Sequence, residues 1–137
     1  MNKKDLKQAG LKITQPRLKI LELLEVSRQR HFTAEGIYQI LIAEGSGIGL
    51  ATVYRVLTQF EAAGLVVRHH FEGAQSVFEL NHGEHHDHIV DVKTGKITEF
   101  HDPIIEQRQE AIAKEYNYKL VDHSLTLYCE EIDPKES

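Results

Sequence analysis

Apolar residues recur at helical spacing through the first half of the chain and at strand spacing through much of the second, with glycine and proline marking the joints. After Thr14 and Gln15, Pro16 suits a first helical turn, and Leu18, Ile20, Leu21, Leu23 and Leu24 fall on the side of a helix that would face a core. Thr33 is placed to cap a second helix, whose apolar stripe is Ile37, Ile40 and Leu41 with Tyr38 beside it. The glycine-rich stretch 44–49 ends it. From 50 to 63 the pattern predicts a third helix that buries Val53, Val56, Leu57 and Phe60 and turns Ala51, Thr52, Tyr54, Arg55, Thr58 and Gln59 outward; Gly64 stops it. Residues 65–70 and 76–80 are β-leaning runs joined as a hairpin through 71–75. Helix, turn, helix, hairpin is the order of a winged helix-turn-helix, whose second helix enters the major groove of DNA. A small helical bundle with a merely wetted polar face is the alternative that the helices alone leave open.

A second unit begins near His82. Residues 89–92 and 96–100 flank Lys93-Thr94-Gly95 as a tight hairpin, 103–116 is amphipathic, and 118–128 returns as a strand. The fold class is therefore α+β, a winged-helix DNA-binding domain over 1–81 followed by a small α/β dimerisation domain over 82–137. Leu120, Val121, Leu125 and Leu127 supply β-type apolar positions able to extend a sheet across two chains, which favours a homodimer. Residues 133–137 read as a frayed end.

Composition narrows the setting. With 137 residues, 41% of them hydrophobic, there is material for one ordinary domain or two small ones. The longest apolar runs fall far short of a membrane span and no leader pattern opens the chain, so a soluble, cytoplasmic protein without a membrane partner is expected. Cys129 is the single cysteine. No intrachain disulfide and no Cys-x-x-Cys zinc clamp can form from it, and among apolar neighbours it reads as a packed side chain. The net charge of −5 is unevenly spread: residues 1–72 hold ten Lys/Arg and seven Asp/Glu, and the remainder six and fourteen. A mildly basic first part could face phosphate while the acidic remainder attracts cations; ordinary solvated charge is the alternative.

The densest chemistry lies at residues 79–88, which contain four of the nine histidines and three carboxylates. If His85 to His88 is extended, His86 and His88 project from one face while His85 and Asp87 project from the other, so one tetrapeptide can serve two ions. Imidazole and carboxylate without thiolate suit Fe(II), Mn(II), Co(II) or Zn(II), and argue against Cu(I) and iron–sulfur clusters. A histidine-rich loop that is simply hydrated remains the competing reading.

Four motifs, taken in order, resemble those of the ferric uptake regulator family: Gly10 to Arg17 (GLKITQPR), Leu50 to Leu57 (LATVYRVL), Phe78-Glu79-Leu80, and His85 to His88 (HHDH). The resemblance spans about residues 5 to 130. It implies a non-enzymatic, Fe(II)-dependent repressor of iron-acquisition genes, binding AT-rich pseudo-palindromic operators in double-stranded DNA, with Fe(II) as co-repressor and Zn(II) or Mn(II) as substitutes. By the same resemblance a regulatory site spanning the two domains takes His31, Glu79, His86, His88 and Glu99, and a second site takes His85, Asp87, Glu106 and His123. DNA contacts map to Tyr54 and Arg55 with Thr52 beside them, to Lys12 in a minor groove, and to Arg17 and Arg68 at phosphates. One departure is plain: where many relatives carry the Cys-x-x-Cys of a structural zinc, this chain has Asp91 and Thr94, so that zinc is not expected. Dimer stability must then come from apolar packing, from the second site, or from a tetramer off DNA. Peroxide-sensing relatives prefer aspartate where Glu79 and Glu99 stand, and zinc-sensing relatives place a cysteine among the regulatory ligands, so iron is favoured. Two other classes compete. A non-haem iron enzyme using His86, His88 and a carboxylate predicts turnover and no operator binding; a metal store predicts metal binding without change in DNA affinity.

Overall fold

A computed structural model describes residues 3–73, 75–83 and 85–133. The chain divides into two compact units, Met1–Gly83 and Glu84–Ser137, two residues beyond the boundary expected at 81. The end expected to fray lies, past Asp133, outside the described residues.

The first unit runs α1 (Lys3–Gln8), α2 (Gln15–Val26), α3 (Ala34–Ala43), α4 (Leu50–Ala62), β1 (Val66–His69) and β2 (Val77–Leu80). Pro16 sits in the first turn of α2, and the Thr14 hydroxyl accepts from the Arg17 amide at 3.3 Å. Thr33 caps α3 the same way, accepting from Gly36 N at 3.0 Å. In α4 the buried residues are Val53, Val56, Leu57 and Phe60, the face the periodicity predicts. Helix α1 was not anticipated, because KKDLKQ carries a single apolar residue and no stripe. Leu6 alone anchors it, fully buried in the common core, a burial that stabilises by about 1.5–3 kcal/mol.

β1 and β2 pair antiparallel, with Val66 opposite Leu80, Val67 opposite Glu79, Arg68 opposite Phe78 and His69 opposite Val77. A third piece of backbone joins them. Phe32 N donates to Phe78 O at 2.9 Å and Phe78 N to Phe32 O at 2.7 Å, an isolated antiparallel bridge between the α2–α3 connection and β2. Phe32, Phe60 and Phe78 are among the largest fully buried side chains of the core. The wing and α4 therefore share one packed interior.

The second unit contains β3 (Asp87–Asp91), β4 (Ile97–Phe100), α5 (Pro103–Glu115) and β5 (Thr126–Cys129). The sheet order is β4-β3-β5, with β3 antiparallel to β4 and parallel to β5. The β3–β4 turn is closed by Asp91, whose Oδ1 accepts from Lys93 N at 2.9 Å and Thr94 N at 3.2 Å while its carbonyl accepts from Gly95 N at 2.8 Å. An Asx turn thus takes up Asp91 and Thr94, the positions at which this chain lacks the Cys-x-x-Cys pair. The strand expected over 118–128 is shorter, beginning only at Thr126: Asn117 leaves α5 at φ +67°, and the polar run Asp122-His123-Ser124 breaks the alternation. Val90 is the one buried apolar side chain of this unit among the described residues, and Val121, Ile104, Tyr118 and Leu127 are exposed. So much uncovered apolar surface on so small a unit is the mark of an association face.

Candidate metal centre and nucleic-acid face

In the first unit the Phe32–Phe78 bridge sets the chemistry. It places His31 and Glu79, the neighbours of the bridged residues, side by side, with His31 Nε2 3.5 Å from Glu79 Oε2. The ladder brings a residue that sequence reasoning missed. His69 lies on the same strand face as Glu79, one step diagonal to it, and its Nε2 stands 2.6 Å from Glu79 Oε1. Its ring stacks on Phe71 at 5.6 Å and 10°. The signal was present in the two histidines of a β-leaning run, but only the strand register tells which of them faces Glu79. Burial holds the His31 imidazole below its ordinary pKa against the upward pull of Glu79, so it is neutral at pH 7 and has a nitrogen lone pair to offer.

In the second unit the expected alternation is realised, although β3 begins at Asp87 and His85 and His86 precede it. On one face His88 is cross-strand partner to Glu99, and His86 Nε2 lies 3.7 Å from Glu99 Oε2. Asp87 points the other way and is fully buried. Around it, His85 Nε2 stands 3.2 Å from Asp87 Oδ1, His123 Nε2 stands 3.3 Å from both Asp87 Oδ1 and Glu106 Oε1, and the two imidazole nitrogens are 3.0 Å apart. All four ligand atoms fall within 4.8 Å of one another. Asp102 caps α5 through the amides of Ile104 and Ile105, which orients the first turn that carries Glu106. The buried Asp87 Oδ2 has no hydrogen-bond partner among the described residues. A carboxylate oxygen left so in a low-dielectric interior is costly, and a divalent cation would satisfy it; two imidazoles and two carboxylates fit such an ion.

The outward face of α4 carries the candidate DNA readers. Tyr54 and Arg55 are exposed; Tyr54 Oη donates to Glu35 Oε1 at 2.8 Å, which raises the phenol's pKa, and Arg55 Nη2 donates to Thr52 Oγ1 at 3.3 Å. Lys12 is exposed in the α1–α2 loop. Arg17 and Arg68, also expected at phosphates, have partners within the unit. Arg17 reaches Gln59 Oε1 at 3.0 Å and 3.3 Å and the Lys12 carbonyl at 2.8 Å, while Arg68 meets Glu61 at 3.3 Å, Thr58 at 3.1 Å and lies 4.7 Å over the Phe78 ring. Both guanidinium groups are thus tied to neighbouring side chains of the unit.

A winged-helix unit joined to a small sheet unit, each with an imidazole–carboxylate cluster, defines a class of metal-sensing DNA-binding protein. Comparison with known proteins gives the family. The model of the ferric uptake regulator family matches residues 8–128. The ferric uptake regulation protein of Legionella pneumophila is 63% identical over 123 residues, covering 90% of each chain. Among solved structures, the ferric uptake regulator of Pseudomonas aeruginosa with manganese aligns with a TM-score of 0.82 at 52% identity, over 97% of this chain and 99% of that one. The regulator of Francisella tularensis with iron aligns at 0.85 and 45%, over 88% and 92%. The chain belongs to the ferric uptake regulator family. It is accordingly a metal-binding, DNA-binding transcription regulator of ferric uptake and not an enzyme, which removes the oxygenase reading. No helix among the described residues is long and apolar enough to cross a membrane.

Proposed function

We propose that this protein is a homodimeric Fe(II)-dependent repressor that closes AT-rich pseudo-palindromic operators of iron-acquisition genes when iron is plentiful. The observation that carries the reading is that one packed unit bears both the outward Thr52, Tyr54 and Arg55 of α4 and the ligand candidate Glu79 of β2, because Phe60 and Phe78 share its core. A constraint on Glu79 is thereby a constraint on the recognition helix. The regulatory ligands are His31 and Glu79 of the first unit with His86, His88 and Glu99 of the second; an ion bound by both would supply the attraction that selects one posture from a mobile ensemble. His85, Asp87, Glu106 and His123 hold a second ion that stiffens the sheet unit.

Tyr54 and Arg55 meet base edges and phosphate in the major groove, and Lys12 enters an adjacent minor groove, where AT-rich sequence deepens the negative potential. Arg17 and Arg68 position these contacts from within the fold. Iron is favoured by the thiolate-free donor set, and relatives have been seen with manganese and with iron. Zinc outranks Fe(II) at most N/O sites, so zinc in the purified protein is compatible with iron in the cell. The test is a titration of a labelled AT-rich palindrome in anaerobic Fe(II), Mn(II) and Zn(II), with elemental analysis of the same samples. Tight binding that requires metal supports the reading, and metal loading without gain in DNA affinity would leave a metal store instead.

A further inference from the structure

The ligand set implied by resemblance takes two residues from the first unit, yet the structure brings three donors together there. One ring nitrogen each of His31 and His69 and a Glu79 oxygen lie within 4.8 Å of one another. Each oxygen of Glu79 faces a different imidazole, Oε1 toward His69 at 2.6 Å and Oε2 toward His31 at 3.5 Å. A simple ion pair would employ one imidazole only. The three side chains are 11–18% exposed, close to solvent but mostly withdrawn from it. Their carriers are stiff: His31 adjoins the Phe32–Phe78 bridge and its carbonyl accepts from Gln29 Nε2 at 2.6 Å, while the His69 ring stacks on buried Phe71. Two imidazoles and one carboxylate on a preformed scaffold, with further positions left for other ligands, is a donor set that takes Fe(II) and its neighbours.

We propose that the winged-helix unit is a divalent-cation site in its own right, with His69 as third ligand beside His31 and Glu79. This unit captures the cation, and His86, His88 and Glu99 then act on one already held. The inference rests on the regulatory reading above and adds an order to it: capture by the DNA-binding unit first, closure second. Weak metal would be sampled by the first unit without committing the second, so the affinity that matters for DNA is the product of two separable steps.

The test uses the full chain. Co(II), which reports coordination by its visible spectrum, is titrated into the wild type, into His86→Ala/His88→Ala/Glu99→Ala, and into that triple variant carrying His69→Gln as well. The His85/Asp87/Glu106/His123 cluster contributes one ion throughout, so the expected contents are two, two and one per chain, with the second ion of the triple variant weakened. In an otherwise wild-type chain, His69→Gln should weaken one ion by at least about tenfold. A direct measurement covers the case in which His69→Gln unfolds: in wild-type protein labelled with 15N-histidine, the His69 ring nitrogens should shift on addition of Zn(II). Unmoved His69 nitrogens, or a His69→Gln chain that keeps both ions at unchanged affinity, overturns the capture site. If operator affinity follows metal while His69 does not respond, the capture site fails and the regulator stands. If His69 responds but operator affinity ignores metal, the reverse holds.

Discussion

Phe32 and Phe78 exchange a pair of backbone hydrogen bonds, and that bridge is what sets His31 beside Glu79. Both rings are buried in the core shared with α4. Phe32→Ala should therefore cost about 3–5 kcal/mol in urea denaturation, the usual penalty for an emptied aromatic site. The same variant should lose metal affinity, although Phe32 touches no ion. A loss of less than about 1 kcal/mol would mean that the bridge does not anchor the wing.

Much of this was legible in the sequence, for physical reasons that differ by residue. The face of α4 followed from Val53, Val56, Leu57 and Phe60 at 3.6-residue spacing, and the split of His85/Asp87 from His86/His88 followed from strand alternation; both are local rules. His69 was missed because its relation to Glu79 is a cross-strand register, which no local pattern encodes. α1 was missed because one leucine in a polar hexamer has no period, and the strand expected from 118 failed because His123 turns into the Asp87 cluster.

On the nucleic-acid face, Arg55→Ala should lower operator affinity by about 1–3 kcal/mol and relax base preference at its position. Lys12→Ala should weaken binding to all sequences and reduce the salt slope by about one. Glu35→Gln keeps an acceptor for Tyr54 Oη but removes a negative charge next to the reader, so operator binding should tighten. Fluorescence anisotropy at several salt concentrations measures all three, and weaker binding by Glu35→Gln would count against Tyr54 as a DNA contact.

Arg17 separates positioning from phosphate contact. Its fork joins Gln59 of α4 to the Lys12 carbonyl, a geometry that lysine cannot reproduce. Arg17→Lys should then lose both stability, by roughly 1 kcal/mol, and operator affinity. A lysine variant with native operator affinity would favour a direct phosphate contact instead.

The Asx turn at Asp91 predicts a pH dependence. The amides of Lys93 and Thr94 hold the Asp91 carboxyl below its ordinary value, so its folded pKa is lower than its unfolded one. That contribution is present above the unfolded value near 3.8 and is lost as pH falls through the lower folded value. Asp91→Asn retains an acceptor without a titrating group, so its melting temperature should fall less steeply than that of the wild type as pH drops below about 4. Parallel pH profiles for the two proteins would remove Asp91 from the account.

Operator affinity of the full chain with and without Fe(II), under anaerobic conditions and beside His86→Ala, decides whether metal controls DNA binding. Tight binding is expected only with Fe(II), abolished by a strong chelator, with a low affinity in His86→Ala that added Fe(II) does not restore. Full operator affinity in the chelated wild type, or a normal Fe(II) response in His86→Ala, would contradict that control.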